Sequence, residues 1–89
     1  MEKVNKKDLK KIEVILESDI NAFARIVDLL TMLSISPIHL ELGSTEQENY
    51  RLTVFLQANG TDLMFYQRFK QKLSAFDFVY ELSEEESDK

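Results

Sequence analysis

The stretch KIEVILESDINAFARIVDLLTML (11–33) decides the fold, because its hydrophobic period changes partway along. In its first third, apolar and charged residues alternate. Ile12, Val14 and Leu16 share one side, and Glu13, Ile15 and Glu17 share the other. That period of two predicts a strand over 11–17 with one buried face. From Asn21 onward the spacing becomes helical. Phe23, Ile26, Val27, Leu30 and Leu33 form one stripe, which predicts a helix over 21–33. Ala22, Leu29 and Met32 widen that stripe. The extra width implies either a second contact surface on this helix or simply a wide core face.

Working outward, Pro37 forces extended backbone through SISP. IHLELG (38–43) and YRLTVFLQ (50–57) alternate again, and the polar STEQEN (44–49) joins them as a hairpin. ANGTD (58–62) reads as a turn with Thr61 as helix cap and Asp62 beside it. Leu63, Tyr66, Phe69 and Leu73 place a second helix over 63–73. FDFVYEL (76–82) alternates as a final strand. The order β-α-β-β-α-β predicts an α+β, ferredoxin-like sandwich: a four-stranded antiparallel sheet with two helices on one face. The other sheet face is left uncovered and polar.

The 89 residues make one small domain, for which pairing with another chain would add stability. The charge of −5 is uneven. Lys3, Lys6, Lys7, Lys10 and Lys11 face only Glu2 and Asp8 at the N-terminus, and residues 83–89 are acidic. The expected division is a basic tail over 1–10, one domain over 11–82 and an acidic tail over 83–89, both tails solvated. An acidic body argues against nucleic acid. With no cysteine there is no disulfide and no thiolate metal site. No apolar run is long enough to span a membrane, and a cytoplasmic chain is expected.

Several chemistries of this fold class do not fit. A metal chaperone would carry Cys-x-x-Cys where this chain has SDINAF. An acyl-phosphate hydrolase would need a glycine-rich cradle. An RNA-binding sheet would need stacked aromatics among basic residues, whereas Phe55 stands alone among Glu13, Glu17, Glu41, Asp77 and Glu81. His39 is the only histidine and sits on the polar side of its strand. No nucleophile, base and orienting group assemble. The expectation is a protein that is not an enzyme, with no catalytic residue, no metal and no cofactor.

On these residues the chain resembles the ACT domain, and more narrowly the small regulatory subunit of acetolactate synthase. Glu17, Arg25, Val27, Leu29 and Gly43 match the family's first half, with Phe23 in place of a leucine. Leu73, Phe76 and Val79 match the second. The resemblance implies a non-catalytic, activating subunit in branched-chain amino-acid biosynthesis, bound as a homodimer to a thiamine-diphosphate-dependent catalytic chain. It implies an effector site at Asp19, Ile20, Asn21, Ala22, Phe23 and Ser36, for a branched-chain amino acid at a dimer interface. That site is altered here. The family's glycine is Asn21, the preceding proline is Ile20, and the asparagine before the second strand is Ser36. Asn21 is expected either to hold a left-handed turn or to cap the helix, and valine feedback to be weak or absent. The family's dimer contact would use Ala22, Leu29 and Met32. Ile15, Phe55 and Val79 form a candidate docking patch on the open sheet face. The longer members of the family carry a second domain, and a chain of one such unit is expected to favour activation over feedback. The alternatives are a free-standing amino-acid sensor and a protein-interaction module.

Overall fold

The computed structural model describes residues 9–57 and 63–87. The elements are β1 (Leu9–Leu16), α1 (Ile20–Met32), β2 (His39–Ser44), β3 (Tyr50–Gln57), α2 (Leu63–Ala75) and β4 (Val79–Ser87). The sheet order is β2-β3-β1-β4 and every pairing is antiparallel. This is the ferredoxin-like βαββαβ arrangement that the hydrophobic periods imply. The turn over 58–62, with Thr61 and Asp62, lies outside the described residues.

The two central strands supply the floor of the core. Ile12, Val14 and Leu16 of β1 and Leu52, Val54 and Leu56 of β3 are all fully buried. Ile26, Leu29, Leu30 and Leu33 from α1, and Tyr66, Phe69 and Leu73 from α2, close over them. Ala22 and Leu29 belong to this core, so the wide stripe of α1 is one broad buried face. Only Met32 of the expected second-contact residues stays outside, at 70% exposure.

Both expected tails are shorter than their charge suggests. β1 starts at Leu9 and β4 runs to Ser87, so residues 83–87 are sheet. The cause is charge matching. The register sets Lys11 opposite Glu85 and Lys10 opposite Glu86, and Lys11 Nζ lies 3.5 Å from Glu85. Opposite charges placed directly across a ladder favour pairing. At its other end β4 starts later than expected. Phe76–Phe78 is a turn, with the Phe76 and Phe78 rings stacked 4.6 Å apart and the Arg25 guanidinium over both.

α1 ends without glycine. Ile35 N–H donates to Leu30 O and Ser34 N–H to Thr31 O, the paired closure of a Schellman motif. Ser34 carries the left-handed backbone that this closure requires, at φ 57°. A Cβ in that region costs about 1 kcal/mol. Ser34→Gly is therefore expected to raise unfolding stability by roughly 0.5–1 kcal/mol, read from urea denaturation; a loss of stability would show that the Ser34 side chain matters more than its strain.

Candidate functional site

The β1–α1 turn is where the resemblance places an effector. Its geometry follows from one residue. Asp19, in extended backbone, is the N-cap of α1. Its carboxylate accepts from Asn21 N–H at 2.9 Å. Its carbonyl accepts from Ala22 N–H and Phe23 N–H at 3.0 and 3.2 Å. The donors that a helix N-terminus would offer an anion are thus used by the chain itself. An effector carboxylate would also meet the negative charge of Asp19, with Glu17 beside it.

Asn21 is neither a left-handed turn residue nor the cap. It lies inside α1, one residue past the helix start, and the non-glycine residues with positive φ among those described are Ser34 and Glu48. The turn needs no glycine because Asp19 makes it. The depression bounded by Glu17, Asp19, Asn21, Ala22, Arg25 and Phe78 measures about 150 Å³, below the roughly 300–1,000 Å³ of ordinary small-molecule sites. Ile20 and Asn21 are exposed, Phe23 is half-buried and Ala22 is buried. Ser36 follows the far end of α1, about 20 Å from Asp19 at the helical rise. Within one chain, Ser36 does not join the other five. Asp19→Ala is expected to cost about 1 kcal/mol through loss of the cap, measured by thermal unfolding; an unchanged midpoint would show that the cap is redundant.

The turn is also tied to the β2–β3 loop. The Ser18 hydroxyl donates to the Glu48 carbonyl. Thr45 Oγ1 accepts from Gln47 N–H and Asn49 N–H, which orders that loop from within.

The open sheet face carries Lys11, Glu13 and Ile15 from β1, Arg51, Thr53 and Phe55 from β3, His39 and Glu41 from β2, and Glu81 and Glu85 from β4. The expected patch of Ile15, Phe55 and Val79 does not form there. A register shift between Ile15 and Leu16 sets Val79 opposite Leu16, turning it toward the core. Tyr80, 54% exposed, borders the same concavity as Ile15 and Arg51. Ile15 sits opposite Arg51 and Phe55 opposite Lys11, which separates the two by about 13 Å along the strands. The Phe55 ring instead meets His39, with centroids 5.6 Å apart, and His39 Nε2 lies 3.1 Å from Glu41 Oε2. The sequence signal for the inward turn of Val79 was weak, because a bulge breaks the alternation that the reading follows.

On the helix side, a polar cluster absent from the sequence reading fastens α2 to β4. The Tyr66 hydroxyl donates to Glu84 Oε2 at 2.8 Å, and Lys70 Nζ donates to Glu84 Oε1 at 2.6 Å. The ammonium groups of Lys10 and Lys70 lie 4.6 and 4.8 Å from the Tyr66 ring centroid. Those hydrogen bonds hold the Glu84 carboxyl below its ordinary value. Among the described residues no group of three or more His, Cys, Asp or Glu could hold a metal ion.

Set beside solved structures, this architecture is shared. The C-terminal domain of the MgtC protein from Mycobacterium tuberculosis superposes with TM-score 0.73 at 20% identity, over 99% of this chain and 95% of that one. An uncharacterised protein from Thermotoga maritima superposes with TM-score 0.69 at 15% identity, over 88% and 94%. The regulatory subunit of aspartate kinase from Thermus thermophilus, in its ligand-free form, superposes with TM-score 0.66 at 11% identity, over 89% of this chain and 51% of that one. The chain thus spans about half of that subunit. No family profile matches the sequence, and no curated protein matches it. What these structures share with the chain is the fold. No helix among the described residues is long and apolar enough to cross a membrane.

Proposed function

We propose that the chain is a non-catalytic regulatory module that works as a homodimer and activates a larger enzyme. Its matches at Glu17, Arg25, Val27, Leu29 and Gly43 favour the thiamine-diphosphate-dependent catalytic chain of acetolactate synthase as that enzyme. The observation that carries the pairing is the β2 edge. Among the described strands β2 is bonded to β3 alone, and Ile38, just before it, and Leu42, within it, are 40% and 42% exposed. An edge with free backbone groups and half-covered apolar side chains is suited to join a second sheet. Activation then follows if the dimer binds the active conformation of the enzyme better than the inactive one. The capped β1–α1 turn supports the further reading that valine-type effectors bind weakly.

The test mixes the purified chain with an acetolactate synthase catalytic subunit from its own organism. Co-elution at a fixed ratio, a raised rate of acetolactate formation and little response to valine are expected. Separate elution with an unchanged rate would overturn the assignment to this enzyme. Light scattering of the chain alone tests the pairing separately. Leu42→Lys should shift a dimer toward monomer, and a wild-type monomer would remove the edge argument.

A further inference from the structure

Arg25, Asp28, Leu29 and Met32 follow one another at i, i+3, i+4 and i+7, so they share one face of α1. Lys72 and Ala75 of α2, with Phe76 beyond it, face them. Between the two sets lies a groove of about 420 Å³, within the range of small-molecule sites. Its floor is apolar: Leu29 is buried and Phe76 half-buried. Met32, 70% exposed on one wall, is a side chain that reshapes readily around a guest.

The rim is charged, and its charges are uncommitted, as is that of Arg68 elsewhere on α2. Lys11, Arg51, Lys70 and His39 each have a carboxylate within ion-pair distance. Arg25, Asp28 and Lys72 form no ion pair with any described residue. Arg25 is not loose, because its guanidinium lies 5.4 Å from the Phe76 ring centroid and is held at the groove's edge. Two cations against one acid leave the rim with one net positive charge, on a chain of net −5.

We propose that the α1–α2 groove binds a small organic monoanion with an apolar body, its carboxylate held by Arg25 and Lys72 over Leu29, Met32, Ala75 and Phe76. Arg25 presents the planar fork that a carboxylate fits, and Lys72 adds a point charge. Asp28 disfavours a dianion such as a phosphate ester. This groove shares Arg25 with the depression at the β1–α1 turn but none of its other lining residues, and the proposal stands whether or not the chain regulates acetolactate synthase.

The probe is 3-phenylpropionate, with 3-phenylpropylamine as the control of equal shape and opposite charge. Binding is followed on the ¹³C-methyl signals of Met32 and Ala75. Saturable shifts with the carboxylate, at a dissociation constant on the order of 1 mM, and none with the amine, are expected. Lys72→Glu alone, and Arg25→Glu with Lys72→Glu, should weaken binding by about tenfold or more. Both positions are exposed, so the fold should persist, and the remaining methyl signals check that it does. Equal shifts with the amine, shifts centred on Asn21 or the open sheet face, or no saturation would overturn the proposal. So would a ligand-free Met32 signal that moves with protein concentration, since a second copy would then fill the groove.

Discussion

Phe69→Ala is expected to remove about 3–5 kcal/mol of stability. The side chain is the largest of those fully buried, and it comes from the centre of the buried face of α2. Alanine forfeits its transfer energy and leaves a void among residues fixed by their own strands and helices. Domains are stable by only about 5–15 kcal/mol, so the variant should lose a large share of its stability margin. Urea denaturation followed by circular dichroism measures it. A cost below about 1 kcal/mol would mean that α1 and α2 close over the gap, and that the helical layer is looser than its burial indicates.

The second large effect belongs to Glu84. Glu84→Ala leaves the hydroxyl of Tyr66, a residue only 3% exposed, without the acceptor it has now. It also leaves the Lys10 and Lys70 ammoniums stacked on that ring without the neighbouring charge. Loss of a hydrogen bond to a charged group costs about 1.5–3 kcal/mol, or a fall in Tm on the order of 10 °C for a domain this small. Tyr66→Phe keeps the ring beside the two ammoniums and removes only the hydroxyl, so it should cost less. Equal costs would show that the Glu84 charge beside the two ammoniums contributes nothing beyond the Tyr66 hydrogen bond.

The same carboxylate gives the domain an acid limit. Its folded pKa is lowered, first by the Lys70 hydrogen bond and then by that of Tyr66, from an ordinary value of 4.5. Its contribution is therefore complete above about pH 4.5 and fades as pH falls through the lower folded value. The side chain is 39% exposed, so solvent screens part of the effect. Glu84→Gln should flatten the stability profile below pH 4.5 and leave its shape above that unchanged. A profile identical to wild type below pH 4.5 would assign the acid loss to other carboxylates.

Most of the architecture was legible in periodicity. β1, β3 and both helices fall where the spacing of two or of three and four places them, because the core-facing positions of each are apolar. What the spacing missed has particular causes. The last part of β4 carries Glu84, Glu85 and Glu86, and its strand character comes from the lysines opposite, which no local pattern reveals. The basic residues near one end of the sequence and the acidic ones near the other are the signal for that pairing, although by composition alone each resembles a solvated tail. Phe76 and Phe78 alternate like strand residues but stack on each other in a turn under Arg25. At the candidate effector site the turn is made without glycine by a simpler device. Asp19, two residues before Asn21, already satisfies the helix start, as an acidic cap ahead of an apolar period usually does.

The pairing of β1 with β4 also sets an order of events. Leu9 lies opposite Ser87 and Lys11 opposite Glu85, so the ladder that completes the sheet joins residues from nearly opposite ends of the sequence. During synthesis the first strand emerges early and has one side vacant until the last strand leaves the ribosome. Closing so long a loop is entropically slow. In the interval, Lys10 and Lys11 sit along the vacant side, where charge discourages a stray strand from another nascent chain. The basic residues that hold the finished sheet together would thus first serve as its guard.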